Sequence, residues 1–460
     1  MTNVDNVSQT LASFAAGLQF GDLPGGVVEH AKLAILDGLG CCLHGAMLPW
    51  TRTVAEMVSS EGGTPDATLI ADGRKVPVAG AVLVNATAGH AFELDDIHRD
   101  AILHPNSITV PVALALAERM GGGSGARILT AVVAGYEVGN RVGAAAGADL
   151  LLRGFHPQGT VGAIAAATTA ARMMDLDSGQ TLNAIGIAGS LGAGLMASQE
   201  GAMVKRLHSG RAAESGVRAA DLAARGFTGI SDVVEAEYGG FLSSFAGTTN
   251  LDRATRGLGD IWETEDTGFK LHATVTSIHT ALDALSSIMS ENNLKADQIR
   301  RVTVGISRPT YVHCAWSYTG QSVTAAQMNL YCGLAMIALH GEAFVDQFQD
   351  AVIRAPELFE FIERIEAEID PEIDALGRAF RHMARLRVET TDGQAFQQEE
   401  NHRRGSPQNP VDREVIERKF DTLAGAVVGH EKAEALKQWI AGLEAQTDTN
   451  DLMATLGQRR

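Results

Sequence analysis

Apolar residues recur at helical spacing through the first 260 or so positions of this 460-residue chain. Val27, Val28, Ala31, Ala34, Ile35 and Leu39 make one such face. The Ala/Val-rich segment 76–90 predicts another helix, which opens onto the acidic patch Glu93 to Asp96. Segment 108–120 keeps helical spacing after Pro111, and 128–141 has the same character. Asp177 and Gln180 have the spacing of a capping box, which predicts a helix over 181–187. Segment 162–172 is nearly all Ala, Gly and Thr. It predicts a buried central helix, because disorder needs a more polar composition and small residues let helices approach closely. After about residue 265 the period changes. Ile299–Ile306 and Ala384–Thr390 alternate as strands, the second followed by the turn residues Thr391, Asp392 and Gly393. Helical patterns at 274–290 and 323–340 lie between them, and charged helices return after Pro410. The fold expected is mainly α: a large, discontinuous all-helical domain from 1–265 with 405–460, and a smaller α+β domain over 266–404.

Composition narrows the function. The formal net charge of -18 disfavours nucleic acid and anionic membrane as partners, so an anionic substrate would need a local basic site. None of the four cysteines forms a C-x-x-C pair, which gives thiolate metal sites little support and suits a reducing cytosol. The N-terminus has no basic n-region with an apolar run behind it, and no stretch of about 18 apolar residues occurs. A cytoplasmic location is expected.

Ionisable groups set in apolar surroundings are the candidate chemistry, since burying them costs free energy unless they are paired or used. The first patch runs His90-Ala91-Phe92-Glu93-Leu94-Asp95-Asp96-Ile97-His98, with His104-Pro105 after it. Asp95 and Asp96 can orient imidazoles for proton transfer. The same residues would serve as helix caps, or Asp95, His98 and His104 as metal ligands, although the spacing matches no zinc pattern. His156 stands in Gly154-Phe155-His156-Pro157-Gln158-Gly159-Thr160, where a helix N-terminus would favour an anion. Lys205, Arg206, His208 and Arg211 put four basic groups in seven residues, read as a basic loop before a helix over 212–224. A partly desolvated lysine there can act as a base. Lys270, His272 and His279 follow, with the two histidines expected on one helix face and Asp283 placed to orient His279. Tyr331 lies in an apolar helix, where its hydroxyl needs a partner. No G-x-S-x-G elbow, dinucleotide fingerprint or Walker lysine is present, so cofactor-free acid–base chemistry is the simplest class left.

Taken together, H-A-F-E-L-D-D with its following H-P, then G-F-H-P-Q-G-T-V-G-A, K-R-L-H-S-G-R-A-A-E-S-G, A-A-R-G-F-T-G, K-L-H with I-H-T-A-L-D-A, and the late R-G-S-P-Q-N-P with R-K-F resemble the MmgE/PrpD family over nearly the whole chain. That family includes 2-methylcitrate dehydratase, cis-aconitate decarboxylase and iminodisuccinate epimerase. The resemblance implies an all-helical domain with an α+β lid, an active site between them, a homodimer, and no metal or organic cofactor. It puts catalytic positions at Asp95 or Asp96, His104, His156, Lys205, His279 and Tyr331. Arg206, His208 and Lys270 join His156 as candidate binders of a small di- or tricarboxylate. A hydro-lyase of the 2-methylcitrate type ranks first on the family's commonest activity, ahead of a decarboxylase, an epimerase or a non-catalytic carboxylate binder. Segment 271–278 and the residues before Tyr331 depart from the dehydratase pattern, which weighs against 2-methylcitrate itself.

Overall fold

The computed structural model describes residues 6–247 and 250–457. The fold is mainly α with small sheets, and contacts divide the chain into two compact units. The first holds Met1–Ala197, Met203–Phe269 and Asp412–Arg460; the second holds Ser198–Ala202 and Lys270–Val411.

The first unit carries helices α1 (Val7–Gly17), α2 (Gly25–Ala46), α3 (Pro49–Glu61), α4 (Val78–Gly89), α5 (Asn106–Arg119), α6 (Gly125–Leu152), α7 (Pro157–Met173), α8 (Ser178–Leu191) and α9 (Val204–Ala224). The Ala-rich α7 starts with Pro157 at its first position, where a missing N–H costs nothing, and packs on α6, α8 and α9. Asp177 and Gln180 cap α8 reciprocally, the carboxylate accepting from Gln180 N at 2.8 Å and the amide oxygen from Asp177 N at 3.2 Å. Two glycines of α9 let it close on its neighbours. A Cβ at Gly210 would meet Thr87 and the Leu83 carbonyl on α4, and one at Gly216 would meet Ala166 and the Ala167 backbone on α7. Pro111 inside α5 has no N–H for the Ser107 carbonyl one turn back, and that oxygen accepts the Ser209 hydroxyl instead, at 3.3 Å. The helix Arg413–Val428 returns to this unit and packs on α2. No single described helix is long and apolar enough to cross a membrane, and the one bent pair that reaches the length, α2 with α3, turns by 83°.

The second unit is built on a four-stranded sheet ordered Ile365–Ile369, Ile299–Ile306, Ala384–Thr390, Ala395–Glu400. The first pair is parallel and the others antiparallel. Ala384, Leu386, Val388 and Thr390 point inward at every second position, and the helix His279–Glu291 packs on this part of the sheet. That helix starts later than its apolar pattern predicts, because Ala273 N donates to Ala343 O and Val275 N to Gln327 O, which holds the approach extended. The pattern over 323–340 is two helices rather than one. Asn329 is extended and caps the second, accepting from Cys332 N at 3.0 Å.

Candidate active site

In the first unit four elements bring four imidazoles together. His90 ends α4, His104 precedes α5, His156 caps α7, and His208 lies in α9. Ring centroids are 5.0 Å apart for His90 and His104, 5.8 Å for His90 and His156, and 5.1 Å for His156 and His208. All four residues are buried.

Each ring is held through a nitrogen whose role follows from its partner. The Asp96 carbonyl lies 2.6 Å from His104 Nδ1 and accepts only, so Nδ1 carries the proton and Nε2 is the basic nitrogen. Asp95 Oδ2 sits 2.7 Å from His90 Nδ1, and its other oxygen 3.6 Å from His104 Nδ1. His156 and His208 face each other through their Nδ1 atoms at 2.8 Å, so one proton lies between the two rings. Burial holds His90 below the usual histidine range; Asp95 opposes that shift and Lys205 adds to it. Burial, then Lys205 and the other imidazoles, holds His156 well below the range, and burial with His90 and Lys205 brings His208 down to about 4. Near neutral pH these three rings are uncharged.

The positive charge comes from α9. Lys205 and Arg206, both buried, close on the same carboxylate oxygen of Glu93. Glu93 itself stands at φ +58°, a conformation costly for a residue with a Cβ and held only where the surroundings impose it. They do so on both sides: Lys419 from the helix Arg413–Val428 donates to the next carbonyl, Leu94 O, at 2.5 Å while pairing with Asp37 at 2.6 Å. Gln158 ties the floor, accepting from His104 N at 2.9 Å and donating to the His104 carbonyl and to Ser107 and Ser209.

Two comparisons bear on this arrangement. Residues 9–254 match the MmgE/PrpD N-terminal domain and residues 272–445 its C-terminal domain. The chain belongs to the MmgE/PrpD family. Among its relatives, the cis-aconitate decarboxylase-like protein oryM of Aspergillus oryzae is 32% identical, over 98% of this chain and 97% of that one. A cis-aconitate decarboxylase of Aspergillus terreus is 30% identical, over 98% and 96%, and that of Homo sapiens 28%, over 98% and 94%. These relatives support a lyase within the family.

Of the residues the sequence singled out, Asp95, His104, His156, Lys205, Arg206 and His208 meet in this cluster. Asp96 does not present its carboxylate there. That group accepts from Tyr136 OH at 2.6 Å and from Asn106 N at 3.0 Å, and burial pushes it well above the usual carboxylate range. The basic segment is no loop but the opening of α9, and Arg211 turns outward to Glu214. His98 leaves the patch: its Nε2 meets Glu263 at 2.9 Å, and that carboxylate is also gripped by Arg253. The trio Asp95, His98 and His104 is therefore not formed. His90, Asp95 and His104 do lie close enough to surround an ion.

His279 and Lys270 lie in the second unit, with His272 and Arg403 among the charges that act on His279. His272 and His279 meet ring to ring at 5.1 Å, yet not on one helix face, since His272 is in the bend before it. Asp283 orients His272, at 3.0 Å, not His279. His279 Nε2 donates to Thr274 O at 3.2 Å, and burial with its basic neighbours holds it well below the histidine range. Tyr331 is partly buried, its hydroxyl pushed up by burial and by Tyr311. Sequence reasoning passed over His90 and Glu93 as site residues although both stand in the quoted H-A-F-E-L-D-D patch. Lys419 sits in the late R-K-F motif and gave no other signal.

Proposed function

We propose that this chain is a lyase acting on a small tricarboxylate, with cis-aconitate as the first candidate and loss of carbon dioxide as the reaction. The observation that carries the reading is one buried cluster holding uncharged imidazoles beside two cations, Lys205 and Arg206, that already grip a carboxylate. Breaking the C–CO2 bond leaves an electron pair on carbon, which delocalises into a neighbouring carboxylate and is quenched by a proton. Lys205 and Arg206 supply the fixed positive charge that such an anion needs. With both rings uncharged and one proton between them, one of His156 and His208 presents an Nε2–H donor to the substrate and the other an Nε2 lone pair. His104, anchored through Nδ1, offers Nε2 for proton transfer. His279 and Tyr331 keep the proton-transfer roles, and Lys270 the binding role, that the family resemblance implies. The same resemblance implies a homodimer, which sedimentation equilibrium checks. Family relatives at 30% identity or above favour decarboxylation over the hydro-lyase reaction, which stays as the second reading.

The test is proton NMR of the wild-type protein in deuterated water with cis-aconitate and 2-methylcitrate in parallel. Decarboxylation gives a product one carboxylate smaller that carries one new deuterium. Loss of the hydroxyl from 2-methylcitrate with all carboxylates retained would instead establish the hydro-lyase. Neither change, at enzyme concentrations that report slow turnover, would remove both.

A further inference from the structure

His90 is fully buried, and its Nδ1 is committed to Asp95 at 2.7 Å. A carboxylate accepts, so the proton sits on Nδ1 and the Nε2 lone pair is what His90 presents. That atom is buried and has no hydrogen-bond partner among the described residues. The ring stands between those of His104 and His156, at the centre of the cluster. A polycarboxylate brings acceptors only, so its lone pairs would oppose that of Nε2 unless a proton came between them.

We propose that His90 is a substrate-contacting residue whose Nε2 takes up a proton as the polyanion binds and then donates a charged hydrogen bond to a substrate carboxylate. The inference rests on the tricarboxylate reading above. The balance is simple: solvent supplies one proton, it ends on Nε2, and no substrate bond breaks in this step. The groups facing His90 set the balance. Lys205 opposes its charging, Asp95 and Glu93 favour it, the rings of His104 and His156 stand beside it at 5.0 and 5.8 Å, and burial keeps it neutral until an anion arrives. Binding and protonation are then linked, each strengthening the other by the same factor.

Calorimetric titration of the whole protein with propane-1,2,3-tricarboxylate at pH 7, in two buffers of different protonation enthalpy, reads this directly. The apparent binding enthalpy should differ between buffers by an amount equal to uptake of about one proton per site. His90→Asn keeps a donor for Asp95 but has no Nε2, and should bind with most of that uptake lost. Asp95→Asn, with the imidazole still present, should lose it as well, which covers the case in which His90→Asn does not fold. Binding by the wild type with the same enthalpy in both buffers would overturn the assignment of His90 alone. So would a folded variant that takes up as many protons as the wild type. Failure of the wild type to bind this probe or cis-aconitate would instead overturn the tricarboxylate reading, and the role of His90 with it.

Discussion

At the residue scale, neighbouring positions in one short loop serve opposite ends. Asp95 turns to His90 and His104 while Asp96 turns to Tyr136 and Asn106. The sequence marked both carboxylates, because acids in an apolar run need partners, but adjacency alone does not say which side each will face. The same limit applied to charge. His208 lies in a run of basic residues and reads as a cation, yet burial brings it down to about 4. That has a consequence for stability. Between about pH 6.5 and pH 4 the unfolded chain binds a proton at His208 that the folded chain refuses, so this residue's contribution falls as pH falls. His208→Asn preserves a partner for His156 and removes that titration. Urea unfolding should show the wild type losing roughly 1–2 kcal/mol relative to the variant between pH 7.5 and pH 5. A gap that is constant or moves the other way would contradict the neutral assignment.

At the element scale, apolar periodicity found α2, α5 and two strands of the sheet, and Ala-rich apolar composition found α4 and α7, which are buried nearly all round. The pattern placed the start of α9 too late, reading charge as exposure. Lys205, Arg206 and His208 are in fact on the buried face of the first turns. Gly210 was the clue: a glycine in a helix interior is unfavourable by itself, and here it admits the Leu83 carbonyl of α4. Gly210→Ala should therefore destabilise by about 1–3 kcal/mol despite the better helix propensity of alanine, because backbone on α4 has to give way. A melting temperature equal to or above that of the wild type would show that α4 and α9 have slack at this point. The late start of the helix His279–Glu291 was not legible, since the contacts that hold 273 and 275 extended come from residues more than fifty positions away.

At the scale of the whole chain, the C-terminal segment reaches back to the loop of the first unit that carries Glu93 and Asp95. Lys419 is buried between Asp37 and the Leu94 carbonyl, which couples the helix Arg413–Val428 to the strained Glu93. Lys419→Met removes the cation that pairs with buried Asp37, leaving it the Asn106 amide as donor at 2.9 Å, and should cost about 3–5 kcal/mol, with much of it recovered when Asp37→Asn is added. Thermal melts of the single and double variants check this; equal losses in both would show that the ion pair is not what matters. No sequence pattern announced this contact, because it joins positions 37, 94 and 419. Turnover should also survive exhaustive chelation, and activity lost to chelator and restored by a divalent cation would replace the acid–base account with a metal-dependent one. The most direct test of the central claim is kcat/KM for cis-aconitate in His104→Ala and Lys205→Met beside the wild type. The cluster predicts a loss of about a hundredfold or more in each, with the fold retained. Rates within a few-fold of the wild type in both would show that the chemistry happens elsewhere.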